Sequence, residues 1–203
     1  MTMTHSLKRI LTRSRAIAAA VSLVGLLAFT APAVAGDEVY DLDPAHSFVT
    51  FSISHLGFSF IEGRFNELEG EFVYDPEAPE NSRVTMEVAT ASIDTNHAER
   101  DRHLRGEDFL HVSEYPVARF ETTGFEPDGE DGRLLGELTL HGETRPIEVD
   151  VTFVGAGEDP WGGYRRGYVG TTTIKRSDFG MDYDLGPDAD EMRLRFVLEG
   201  IRQ

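Results

Sequence analysis

Ile147-Glu148-Val149-Asp150-Val151-Thr152-Phe153 alternates apolar and polar side chains without a break, the two-residue period of a strand with one dry face and one wet face. The pattern recurs on either side of it. Upstream, Val49, Phe51 and Ile53 alternate with Thr50, Ser52 and Ser54, and Leu68, Phe72 and Tyr74 with Glu69 and Glu71. Val84, Met86 and Val88 alternate with Thr85 and Glu87, and Leu134, Leu138 and Leu140 keep the phase. Downstream, Met192, Leu194, Phe196 and Leu198 are interleaved with Arg193, Arg195 and Glu199. Turn signals separate the runs: Asp75-Pro76, Pro127-Asp128-Gly129, His141-Gly142 and a loop over Gly155 to Gly163. Parallel strands would need helical crossovers and continuous apolar runs, so the expected sheet is antiparallel.

One helix is expected over Asn96 to Gly106, rich in Glu, Arg and His and free of Pro, with a short turn over Ser177 to Met181. About eight to ten strands with so little helix leave a closed barrel or a two-layer sandwich. Gly70, Gly136 and Gly170 fall in phase with large inward residues. Glycine within a strand marks a bend or a close approach, and closing a sheet needs bends. An all-β antiparallel barrel is therefore the expected architecture.

Residues 1–35 have the form of a secretory signal peptide. Lys8, Arg9, Arg13 and Arg15 precede an apolar run from Ala16 to Phe29, and Ala33-Val34-Ala35 offers a cleavage site before Gly36. The run is shorter than the ~20 residues of a membrane-spanning helix. Removing 35 of the 203 residues leaves 168, an ordinary length for one domain over 36–203. With no Cys, the chain has no disulfide, thiol nucleophile, cysteine-held metal or lipid-modified N-terminal cysteine, so no stable membrane anchor is expected. Acids outnumber bases 36 to 19, and four of the bases belong to the leader, so nucleic acid and anionic lipid surfaces are poor partners. Lysine occurs only at Lys8 and Lys175, and an acid-rich, lysine-poor surface is expected of a protein that stays hydrated in high external salt.

The stretch Tyr40-Asp41-Leu42-Asp43-Pro44-Ala45-His46-Ser47, continuing through Val49, Phe51, Ile53, His55-Leu56-Gly57 and Gly63-Arg64-Phe65, resembles the opening of the YceI-like family of polyisoprenoid-binding proteins. Asp94-Thr95-Asn96, Arg100-Asp101, His103-Leu104-Arg105 and Asp108-Phe109-Leu110, followed by Tyr115-Pro116 and Phe120, are similar to that family's central helical segment. Leu138-Thr139-Leu140-His141-Gly142-Glu143-Thr144-Arg145-Pro146 resembles its second hairpin, and Arg176-Ser177-Asp178-Phe179-Gly180-Met181 its late motif. The resemblance covers nearly all of 36–203. It implies a lipocalin-like barrel with a long hydrophobic tunnel, and as ligand a long-chain isoprenoid lipid, with a quinone-type head among the candidates. It implies periplasmic transport or storage, and neither a reaction nor a cofactor.

The residues expected to line the tunnel are the in-phase apolar ones: Val49, Phe51, Ile53, Phe72, Met86, Val88, Phe120, Leu138, Val149, Val151, Leu194 and Phe196, with Phe109, Phe179 and Met181 near an entrance. The same side chains could instead fill a solid core. His55 shares their phase at a strand end, where an imidazole could meet a ligand head group or simply be a satisfied structural histidine; His46, on the opposite phase, is expected to order a turn. Arg100, Asp101 and His103 read first as helix capping and surface pairing, and Arg176 and Asp178 as a local turn. No metal site is expected, because His97 and His103 lie six apart on a helix and no H-E-x-x-H motif or Cys pair occurs. Catalytic residues are not expected, since no G-x-S-x-G elbow is present. Two other readings stay open: an enzyme using His55 as base on a lipid, and a structural barrel that is simply full. A homodimer joining two tunnel mouths is compatible with all of them.

Overall fold

The computed structural model describes residues 36–186 and 188–203, and the expected leader lies outside the described residues. The strands are β1 (Glu38–Leu42), β2 (Phe48–His55), β3 (Ser59–Phe65), β4 (Leu68–Tyr74), β5 (Arg83–Ala89), β6 (Ile93–Asp94), β7 (Val117–Asp128), β8 (Asp131–Leu140), β9 (Glu143–Glu158), β10 (Tyr164–Lys175) and β11 (Glu191–Arg202), with one helix, α1 (Ala98–Leu104). Every pairing is antiparallel. The strands β1-β4-β5-β7-β8-β9-β10-β11 run in that order, and β1 pairs back onto β11, closing an eight-stranded, lipocalin-like barrel. β2, β3 and β6 continue β1, β4 and β5 past breaks in the ladder, which is why the described strand segments outnumber the eight staves.

Strand direction gives the barrel two unlike ends. At the turn end lie the β4–β5, β7–β8 and β9–β10 connections, with the start of β1 and the finish of β11. At the helix end lie the β2–β3 turn, α1 with the segment running to β7, the β8–β9 turn and residues 176–186 and 188–190. The β8–β9 turn uses His141 and Gly142, both at positive φ (52° and 77°), the backbone twist that a two-residue hairpin needs.

Three expectations are corrected. The helix is shorter than Asn96 to Gly106, because Asn96 adopts a left-handed φ of 58° and His97 caps the helix by accepting from Arg100 N at 3.2 Å. The short turn covers Arg176–Phe179 and stops at Gly180 (φ 71°). Gly155 to Gly157 is no loop: these residues pair with Arg165 to Gly167, and the turn is confined to 159–163.

β11 spans the seam of the barrel. Gly200–Arg202 pair with β1, whereas Met192–Val197 pair with β2. Between them the chain steps through Asp43 to Ser47, and Arg165 fastens that step: Nη1 donates to Asp43 Oδ2 (2.7 Å) and Glu199 Oε1 (2.6 Å), and Nε to Asp159 Oδ2 (2.8 Å). His46 Nδ1 lies 2.8 Å from the same Asp43 carboxylate. This Arg165 bond, then the His46 bond, hold the Asp43 carboxyl down at about 2.

Closure also depends on small residues facing inward. A Cβ at Gly136 would lie 2.3 Å from the Phe120 ring and 2.6 Å from Glu121 O; one at Gly200 would lie 2.4 Å from Phe72, whose ring stacks on Tyr40 at 4.8 Å. Gly136→Ala should therefore cost about 1–3 kcal/mol, as overpacked interiors do, read as a lower urea midpoint with unchanged slope. The Asp43 carboxyl, 3.8 when free and about 2 when folded, stabilises fully above about pH 4 and ceases to stabilise as pH falls through about 2. Comparing urea midpoints at about pH 6 and about pH 3, Asp43→Asn should show a smaller acid loss than the parent. Equal losses would remove Asp43 from the account.

Candidate functional site

The inward faces of the strands enclose space instead of filling it. The larger cavity, about 540 Å³, lies toward the helix end and falls within the ~300–1,000 Å³ range of small-molecule sites. Of the residues expected to line a tunnel, Val49, Phe51, Ile53, His55, Met86, Val88, Phe109, Phe120, Leu138, Met181, Leu194 and Phe196 face it. A smaller cavity of about 90 Å³ lies toward the turn end, where Phe72, Val149 and Val151 face it together with Met86, Phe120 and Phe196. Those last three side chains are shared, so they form a waist where the two chambers meet. Phe179 faces neither chamber: it is 1% exposed, in the turn that His141 Nδ1 holds by donating to Phe179 O at 3.0 Å.

The turn end contains a buried cation that the periodicity did not single out. Arg166 is 5% exposed, and its guanidinium carbon lies 3.6 Å from the Tyr74 ring centre, 4.7 Å from Phe153 and 5.4 Å from Tyr168. Nε donates to Tyr168 Oη (2.6 Å), and Nη2 donates to Glu130 Oε1 (3.0 Å) on the β7–β8 turn. Three aromatic faces and one carboxylate thus offset the loss of water that burial imposes on the charge. A signal was available: Arg166, Tyr168 and Gly170 share one strand face, and Gly170 was already read as inward.

At the helix end the cavity meets His55, His97, Glu99, Arg100, His103, Arg119 and Arg176. His55 ends β2 at the exposed rim and pairs across the hairpin with Ser59. Surface pairing fits His103, whose Nε2 lies 3.0 Å from Asp108 Oδ2, but it is wrong for Asp101. Asp101 is buried and accepts from Thr95 N (2.9 Å) and Thr95 Oγ1 (2.5 Å). Arg100 bonds the same residue, Nε to Thr95 Oγ1 and Nη2 to Thr95 O, each at 2.7 Å. One face of α1 is thereby locked to the end of β6.

Arg176 anchors the other cover of the mouth. Its buried guanidinium donates to three backbone carbonyls, Ala189 O (2.8 Å), Met181 O (2.9 Å) and Tyr183 O (3.3 Å), fixing those three residues beside the opening. Desolvation pulls its pKa below the ordinary arginine value, opposed by Asp190 and Asp182. The turn's carboxylate is Asp190, bonded to Ser177 N and Oγ, and not the exposed Asp178.

Among the described residues, Asp43, His46 and Glu199 alone form a cluster with metal-ligand spacing, their ligand atoms within 4.8 Å of one another. The Arg165 guanidinium already bonds both carboxylates, as a cation would. No helix among the described residues is long and apolar enough to cross a membrane.

Comparison with known proteins places this lumen in a family context. Residues 40–200 match the model of the YceI-like domain. A UPF0312 protein of Pseudomonas aeruginosa is 45% identical over 185 residues, covering 91% of this chain and 97% of the relative. The crystal structure of BcnA from Burkholderia cenocepacia superposes with a TM-score of 0.70 at 26% identity, covering 78% of this chain and 99% of that one. A polyisoprenoid binding domain from Saccharophagus degradans shares the fold at a TM-score of 0.57 and 18% identity, covering 81% and 98% of the two chains.

Proposed function

The chain belongs to the YceI-like domain family, and from that premise we propose that it is an exported carrier or store of a long-chain isoprenoid lipid, working in the periplasm and holding the tail inside the barrel. The observation that carries this reading is the apolar cavity of about 540 Å³ toward the helix end, with a second chamber of about 90 Å³ beyond the shared residues. A barrel filled by its own side chains would not contain it. The leader-like residues 1–35 support export, and the family supports the ligand class.

The energetics favour a long tail. Each five-carbon unit removed from water contributes several CH₂-sized groups at ~0.8 kcal/mol each, or roughly 4 kcal/mol. Association costs on the order of 4–15 kcal/mol, so one or two units are retained weakly and many units firmly. A quinone-type head would sit among the histidines and arginines of the mouth, within reach of His55. We read the protein as a binder and not a catalyst. The family, and the polyisoprenoid binding domain among the structural neighbours, support the binding reading.

Organic extraction of the purified protein followed by mass spectrometry should yield one class of long isoprenoid in near-stoichiometric amount. An empty extract, or a mixture of ordinary fatty acyl lipids, would end the proposal. Ala118 faces the larger cavity, so Ala118→Phe should displace two or three CH₂-sized groups of the tail and lower retained lipid by roughly tenfold or more. His55→Ala should leave tail retention within about a few-fold of the parent while loosening the head. Complete loss of lipid in that variant would move the main grip from tail to head.

A further inference from the structure

The rim of the larger cavity carries an apolar crown that the barrel itself does not use. Phe58 is 86% exposed, and Leu56, Phe60 and Tyr183 are exposed beside it, four of the eight large exposed apolar side chains among the described residues. They gather at the helix end on two connections that touch. A Cβ at Gly186 would lie 2.7 Å from Leu56 Cδ2, and Tyr183 packs against Phe109 and His103 with ring centres 5.0 and 5.4 Å apart. Both connections also line the cavity, through His55 on one and Leu185 on the other. The crown therefore borders the opening on that side.

Its chemistry differs from the rest of the surface. Ser54-His55-Leu56-Gly57-Phe58-Ser59-Phe60-Ile61 contains no Asp, Glu, Lys or Arg, in a chain of which 27% is charged. Leu56 (φ 54°) and Gly57 (φ 73°) are both left-handed, and Phe58 N donates to His55 O at 3.0 Å, so the tip is a tight, shaped turn that projects Phe58 outward. Phe60, at the base of the tip, lies under the Arg193 guanidinium at 5.4 Å, much as Trp161 at the turn end lies under Arg165 at 5.5 Å, whereas Phe58 stands out beyond it.

We infer that this crown docks on the surface of a lipid bilayer, with Phe58 and Phe60 entering the headgroup region so that the cavity opens directly into the apolar phase. The inference deepens the carrier reading and rests on it for the cargo. A tail that left the barrel through water would re-expose every buried CH₂, so the exit has to be covered by something apolar while the tail crosses. An uncharged aromatic and aliphatic tip suits a bilayer interface, where such rings settle at headgroup level. A second copy suits it less, because the formal charge of −17 on each chain opposes self-association.

Co-sedimentation with phosphatidylcholine vesicles tests this, using protein made from the full-length sequence so that residues 1–35 are treated alike in every sample. The parent protein should partition onto neutral vesicles, and the double variant Phe58→Ser, Phe60→Ser should do so roughly tenfold or more weakly, with Phe58→Ser alone falling between. Adding anionic lipid should weaken binding, since the protein is acidic. No binding by the parent, equal binding by the variants, or binding that requires anionic lipid would overturn the proposal. So would sedimentation showing a parent dimer that the double variant abolishes without vesicle binding, which would assign the crown to a second copy. Vesicle binding lost in the variants, with no isoprenoid in the solvent extract, would sustain the docking surface and sink the carrier reading alone.

Discussion

Ring closure through β11 is the constraint on which the rest of the molecule depends. An open antiparallel sheet would leave two unpaired edges and would have to bury its apolar face against a second layer. By pairing with β1 along one stretch and β2 along another, β11 removes the edges, and the inward face becomes the wall of a lumen. Eight staves give an interior that side chains can fill or that can hold one small ligand. Which of the two occurs is decided locally, by Gly136, Gly170 and Gly200, where the walls approach, and by Phe120, Phe196 and Met86, which stand between the two chambers.

The two ends handle polarity in opposite ways. At the turn end Arg166 is buried among Tyr74, Phe153 and Tyr168 with Glu130 as its carboxylate, a cluster that costs desolvation and in return ties β10 to the β7–β8 turn. At the helix end the buried charges serve the backbone instead: Asp101 holds Thr95, and Arg176 holds the carbonyls of Ala189, Met181 and Tyr183. Both covers of the mouth are thus tethered by side chains that face inward, while their outer faces are left to solvent or to a partner.

Much of this was legible in the residues. Alternation fixed which side chains face inward, and twelve of the expected lining set border the larger cavity. What alternation could not give is pairing. It does not say that β1 and β2 are one stave interrupted at Asp43 to Ser47, nor that Gly155 to Gly157 would be drawn into a ladder with Arg165 to Gly167 despite their backbone freedom. Buried charge was the other blind spot. Asp101 and Arg166 look like surface residues by type, and their burial follows from partners, Thr95 in one case and three aromatic rings in the other, that only the fold brings together. Phe179 failed for a related reason: its turn is tied to His141 on the β8–β9 hairpin, which takes its ring away from the lumen.

The distribution of surface charge completes the picture. Arg119 bridges Glu87 and Glu121, Arg133 reaches Glu148 and Asp150, and Arg64, Arg83, Arg102, Arg145 and Arg202 each sit by a carboxylate, so these seven surface cations are absorbed by neighbouring acids. Exposed pairs of this kind add little stability, but they leave the outer wall with a surplus of carboxylates that repels other acidic surfaces. The β2–β3 tip adds no charged side chain to that surface between Ser54 and Ile61. An acidic wall with one uncharged tip, residues 54–61, favours approach to an apolar surface by that tip, with the mouth foremost. On the docking proposed above, orientation follows from charge and hydrophobicity together, and the axis of the closed lumen is the path along which the proposed lipid would enter or leave.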